Sequence, residues 1–290
     1  MQAFSYVRPT SLAEALAVLA REGEGARCLS GGTDLIVQLR ERRRFANVVV
    51  DVKRIPDLNV LSFDPQTGAI IGAAVPCYRI YSHAALAAAY PGLMDAVKLI
   101  GGVAIQGRAT LGGNVCTASP AGDSIPALMV HRAVVVIASA RGTRTLALED
   151  FFLGPGKTVL QPDELVVSFK LPPPPPGFGA AYLRFTPRNE MDIAVVGVGA
   201  AITVREGQIV DARIALGAVA PTPLLAREAA EVLIGKAPSP EAFEEAARAA
   251  QALARPITDV RGTAEQRRHL VGVLTRRALM QAAQRTTLYA

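Results

Sequence analysis

At 290 residues, half of them hydrophobic, the chain is long enough to bury a sizeable core and to divide into two or three modest domains. Its net charge of +6 leaves room for acidic partners, but 5 % aromatics, no tryptophan and no nucleic-acid motif argue against a nucleic-acid partner. Cys28, Cys77 and Cys116 are odd in number and far apart; they suit neither a disulfide framework nor a Cys-x-x-Cys metal site, and imply free thiols in a reducing compartment. His83, His131 and His269 are equally scattered, which leaves zinc without a ligand set. With neither a leader-like N-terminus nor an apolar run of membrane length, a cytoplasmic protein without a transmembrane segment is expected.

In chain order, Ser11-Leu12-Ala13-Glu14 is a capping box, and Leu12, Ala15, Leu16, Leu19 and Ala20 repeat at helical spacing until Gly23. A strand over 26–29, a helix over 33–41 and a strand over 47–51 complete a small βαβ-type subdomain, 1–54. Arg40, Arg42, Arg43 and Arg44 cluster at the helix end, where solvation and the dipole account for them. A larger α/β subdomain, 55–176, follows: strands over 69–75, 133–138 and 165–171, and helices over 78–89 and 92–100. Five prolines, 172–176, form a stiff connector to a C-terminal domain, 177–290. That domain reads as a small antiparallel sheet (181–185, 194–204, 209–217) and helices near 225–233, 241–253 and 264–285. The last helix carries Arg267, Arg268, Arg276 and Arg277, expected on a solvated face.

Two glycine stretches carry the chemistry. Thr110-Leu111-Gly112-Gly113-Asn114 opens a segment that continues to Ser119 and Asp123, a glycine bend surrounded by short donors and acceptors. Ser30-Gly31-Gly32-Thr33-Asp34 repeats the pattern between a strand and a helix start. Successive main-chain N–H groups in such bends hold a phosphate without lysine or metal. Neither stretch is a G-x-G-x-x-G or a P-loop, and no nucleophile elbow is present. Two such turns suit one extended ligand with a diphosphate in its middle.

Five segments in order extend this: 4–16, 30–34, 110–123, Asp192-Ile193-Ala194-Val195 and 259–270. Together they resemble the FAD-binding medium subunit of the xanthine dehydrogenase and carbon monoxide dehydrogenase family of molybdenum hydroxylases. The resemblance implies an α+β fold: an FAD-binding domain of the PCMH or vanillyl-alcohol-oxidase type, made of two subdomains, and a C-terminal domain with a small antiparallel sheet and helices. It implies that Arg27, Cys28, Leu29, Ser30, Gly31, Gly32, Thr33 and Asp34, with Thr110, Leu111, Gly112, Gly113 and Asn114, cradle the FAD diphosphate. Ser119 joins them, and Asp123 matches an aspartate facing the polyol or ribose. Ile100 stands beside the flavin, where animal xanthine dehydrogenases have an aromatic residue. Leu165 and Val166 match apolar lining residues, Arg184 a basic residue near the cofactor, and 188–192, with Asp192, a loop close to the flavin ring.

The chemistry so implied is electron transfer. [2Fe-2S] clusters on a small partner subunit would feed FAD, a large subunit would carry the molybdopterin cofactor, and NAD, quinone or oxygen would take the electrons from a dimer of heterotrimers. No catalytic residue and no metal ligand is assigned to this chain. A free-standing FAD oxidase or reductase of the vanillyl-alcohol-oxidase type and a flavin-loaded docking module that never cycles are the alternative readings.

Overall fold

The computed structural model describes residues 2–189 and 191–286. A short strand that periodicity does not announce, β1 (Ser5–Val7), leads into α1 (Leu12–Glu22), which Ser11 caps by accepting the Glu14 amide at 3.2 Å. β2 (Ala26–Leu29), α2 (Leu35–Arg40) and β3 (Val48–Asp51) follow, and the sheet order is β1-β3-β2 with both pairs parallel. β3 lies in the middle and is buried along its whole length, so it reads as an unbroken apolar run rather than an alternating one. Ala15, Leu16 and Leu19 of α1 pack on one face of this sheet, and Leu39 of α2 packs with Val49 on the other.

β4 (Leu61–Asp64) and β5 (Gly68–Gly72) form a hairpin, then the chain turns helical: α3 (Cys77–Tyr81), α4 (Ala84–Ala89), α5 (Pro91–Val97), α6 (Leu111–Thr117) and α7 (Ser124–Val130). The single helix expected over 78–89 is two helices. His83 interrupts it, its Nδ1 accepting the Leu86 amide at 3.2 Å as the cap of α4. A second hairpin, β6 (Val134–Ser139) and β7 (Gly142–Ala147), a small pair β8 (Phe152–Gly154) and β9 (Lys157–Thr158), and β10 (Leu165–Leu171) complete this part. Its five-stranded sheet runs β4-β5-β10-β6-β7 and is antiparallel throughout: short turns impose this within the hairpins β4–β5 and β6–β7, and β10 inserts antiparallel between them. A bulge between Val166 and Ser168 shifts the register of β10 against β6.

The C-terminal strands β11 (Phe178–Phe185), β12 (Val196–Arg205), β13 (Gln208–Gly217) and β14 (Leu224–Leu225) form a four-stranded antiparallel sheet in sequence order. α8 (Arg227–Glu231), α9 (Pro240–Leu253) and α10 (Ala264–Thr286) follow. Arg267 on α10 is not on a solvated face as expected. It is 3 % exposed and donates to Val195 O at 2.8 Å and to Asp259 Oδ1 at 2.6 Å, tying the helix to the sheet. Phe178, Ala180, Tyr182, Ala201 and Ala215 belong to the same core as α5, α7 and β10. The Ala218 amide donates to Pro120 O at 2.7 Å, so the C-terminal domain grips the turn that follows α6.

Candidate functional site

β2 ends at Leu29, and 30–34 turn from it into α2. Across a narrow gap stand Thr110 and α6. Ser30 Oγ and Thr110 Oγ1 are 3.0 Å apart, eighty residues apart in sequence. The approach is closer still at the glycines: a Cβ on Gly31 would fall 2.3 Å from Arg108 O, and one on Gly112 would fall 2.4 Å from Ala73 O. These two positions are glycine because backbone lies where a side chain would be. The other use of glycine, a turn through positive φ, applies at Gly32 alone of the four (φ 77°). Gly112 and Gly113 occupy the first turn of α6, and 110–123 comprise that helix and the turn that leads into α7.

The gap is the floor of a cleft that opens to solvent and draws its lining from both glycine stretches. One wall comes from 27–38 and Arg44, the other from Ala73, Ile100, Thr110, α6, Leu160, Leu165 and Val166. Its donors are unevenly used. Gly112 N–H donates to Ala73 O at 3.1 Å and Gly113 N–H to Thr110 Oγ1 at 3.0 Å, so the second stretch spends its amides on the protein. The amides of Gly31, Gly32, Thr33 and Asp34 have no protein acceptor among the described residues.

Charge follows the same division. Arg27 Nε is buried without a partner, and burial, then the nearby Arg44, holds the Arg27 guanidinium below its ordinary value. Arg44 lines the cleft and makes no ion pair among the described residues, which corrects its expected place on a solvated helix end. Glu164, on the opposite wall, is already bound to Arg144 at 2.8 and 2.7 Å, which keeps its carboxyl below the usual range. Asp34 is raised by desolvation, against the pull of the Thr117 hydroxyl, although the residue as a whole is exposed. Burial pushes the Cys28 and Cys116 thiols up to about 12, so both are neutral space-fillers and not nucleophiles. No group of three His, Cys, Asp or Glu side chains that could hold a metal occurs among the described residues. An apolar-walled cleft with free amides and two guanidiniums in no ion pair among the described residues on one side suits an anionic molecule with an apolar part.

Residues 2–174 match the FAD-binding domain of molybdopterin dehydrogenases, and residues 181–282 match the C-terminal domain of the carbon monoxide dehydrogenase flavoprotein. This chain belongs to the family of FAD-binding medium subunits of molybdenum hydroxylases. It is 36 % identical to the carbon monoxide dehydrogenase medium chain of Afipia carboxidovorans, over 97 % of both chains. It is 29 % identical to the xanthine dehydrogenase FAD-binding subunit of Escherichia coli O157:H7, over 96 % of this chain and 95 % of that one. The solved structure of reconstituted carbon monoxide dehydrogenase from Oligotropha carboxidovorans superposes with a TM-score of 0.94 at 34 % identity, over 98 % of this chain and 99 % of that one.

Within this flavoprotein fold, fourteen sequence-nominated residues line the cleft: Arg27, Cys28, Ser30, Gly31, Gly32, Thr33, Asp34, Ile100, Thr110, Gly112, Gly113, Asn114, Leu165 and Val166. Six do not. Leu29 packs behind the cleft beside Leu39 and Val49, and Leu111 is wholly buried in the main core. Ser119 Oγ accepts the Ala121 amide at 3.3 Å. Asp123 and Arg184 form a buried pair at 2.7 Å, to which Tyr182 adds its hydroxyl at 2.7 Å. Burial pushes Asp123 up to about 6, while Arg184 and Tyr182 hold it down, so at neutral pH it is the carboxylate that both donors bind. Asp192 faces Arg188 and Arg261 at 3.9 and 3.7 Å. Its loop reaches the cleft end, since Met191 N–H donates to Gly101 O at 3.2 Å; residue 190 lies outside the described residues. Sequence reasoning missed Gln38, Leu160 and Glu164 as lining residues and set Arg44 aside. Only the position of Arg44 in a basic run, ten residues past Asp34, hinted at its part.

Proposed function

We propose that the chain binds FAD across this cleft and relays electrons from [2Fe-2S] clusters on a small partner subunit to an external acceptor. A large subunit would carry the molybdopterin cofactor, in a cytoplasmic dimer of heterotrimers. The observation that carries the reading is the face-to-face placement of 30–34 and 110–114, with main-chain amides that have no protein acceptor among the described residues, and guanidiniums in no ion pair among them, on the first wall. These groups suit a diphosphate: Gly31, Gly32, Thr33 and Asp34 would donate main-chain N–H bonds, Asn114 its amide, and Arg27 and Arg44 the countercharge. Cleft residues left alone by the protein are satisfied by the ligand.

FAD, when bound, supplies the electron uptake and release. This chain's residues do the rest. Ile100, Leu165 and Val166 exclude water from the apolar part of the cleft, and the absence of a titrating thiol there leaves no competing nucleophile. The Asp123–Arg184 pair and Asp192 act from behind the cleft wall and at its end. We assign the FAD-binding subdomains to 1–54 and 55–176 and the C-terminal domain to 177–290.

Incubating the purified chain with FAD and recording bound-flavin absorbance after gel filtration tests the proposal. A stoichiometric yellow protein is expected, and a colourless one overturns it. Turnover of an organic substrate by the isolated chain would favour a free-standing oxidase instead, and flavin that stays oxidised in the substrate-treated complex would favour an inert docking module.

A further inference from the structure

Asn114 is a polar cleft residue whose orientation its surroundings decide. Ser124 N lies 3.3 Å and Ser124 Oγ 2.7 Å from Asn114 Oδ1. A main-chain N–H can only donate, so the end of the amide that faces Ser124 is the carbonyl, and the NH2 group takes the other end. The seat is close: a Cβ on Gly122 would lie 3.2 Å from the same oxygen. Ser124 itself is fully buried at the start of α7 and does not line the cleft. Asn114 does, and its Nδ2 has no protein acceptor among the described residues.

We infer that Ser124 is a positioning residue: by holding the Asn114 carbonyl with two donors it aims the Asn114 NH2 group at an acceptor oxygen of the bound dinucleotide. The inference rests on the FAD reading of the cleft and deepens it. The terminal torsion of an asparagine is close to two-fold, so a free side chain presents either end with little preference. Turned the wrong way it sets a carbonyl against an anionic ligand. Ser124 removes that choice before the ligand arrives, and α7 thereby shapes a site it never touches.

Titration of the full chain with FAD, followed by flavin fluorescence, tests this with four variants. Asn114→Ala weakens binding by about tenfold or more, the scale of one hydrogen bond to a charged acceptor. Ser124→Ala weakens it by less, because the amide then spends part of its time reversed. The decisive result is the double variant, which binds no more weakly than Asn114→Ala alone, since Ser124 acts only through Asn114. Asn114→Asp keeps the Ser124 bonds on one oxygen and turns the other toward the ligand. It binds FAD more weakly than Asn114→Ala at neutral pH and recovers as the pH falls through the carboxyl titration. Additive losses in the double variant, or wild-type affinity and a flat pH profile for Asn114→Asp, overturn the inference. Failure of the unmodified chain to bind FAD overturns the reading beneath it instead.

Discussion

At the first glycine stretch, four consecutive amides and the neighbouring Arg27 Nε have no partner among the described residues; at the second, Gly112 and Gly113 give their amides to Ala73 and Thr110. Both stretches are glycine-rich, both are bordered by threonine, and they touch. One wall of the cleft holds its main-chain donors in reserve for a ligand, and the other, the Asn114 NH2 group apart, uses its glycine amides to hold itself together. Removing a group other than Asn114 from the second wall should therefore cost fold stability, and removing one from the first should cost affinity alone.

The largest effect is expected behind the second wall. Arg184→Ala leaves Asp123, 7 % exposed, with only the Tyr182 hydroxyl, and should lower unfolding free energy by about 3–5 kcal/mol in denaturant titrations. Next comes Gly112→Ala, whose methyl meets the Ala73 carbonyl. It should cost about 1–3 kcal/mol, whereas Gly113→Ala, which meets only Thr110 Oγ1 at 3.2 Å, should cost clearly less.

On the first wall, Arg27→Gln combined with Arg44→Gln should weaken FAD binding by about 10- to 100-fold, leave riboflavin binding unchanged and leave the ligand-free melting temperature at or above the wild-type value. An equal fall in ligand-free stability would erase the contrast between the walls.

A control away from both walls is His131, buried among Tyr90 and Phe178, whose effect is small at neutral pH and appears only in acid. Burial first, then Arg285, lowers it from 6.5 to about 3. The unfolded chain thus binds a proton between those pH values that the folded chain refuses, so stability falls as pH drops from about 6.5 toward 3, by at most about 1.4 kcal/mol per unit. His131→Phe should flatten that limb of the pH–stability curve while FAD affinity stays the same.

Much of this was legible beforehand. Helix α1 announced itself through Ser11, Glu14 and a leucine stripe, and the C-terminal strands through their length, because local capping and periodicity act within a few residues. β1 was not legible: three half-exposed residues form a strand only because β3 is there to pair with them. Helices α6 and α7 were hidden by a glycine pair and by Pro126, residues that weaken helices on their own and are tolerated here because Gly112 packs on Ala73 and Pro126 lies in the first turn of α7, where its missing N–H has no helical acceptor to serve. Arg44 and Arg267 show the same limit for charge, since both sit in basic runs that read as solvated surface, yet Arg267 is buried and the half-buried Arg44 lines the cleft.

The sequence by itself determined which segments line the cleft, because glycine pairs, caps and apolar runs are local and their order along the chain matches this family. Tertiary structure alone decided which of those segments still has donors to offer. Whether an amide is free depends on what lies opposite it in space, Arg108 and Ala73 for the two glycine stretches, and those neighbours are tens of residues away along the chain.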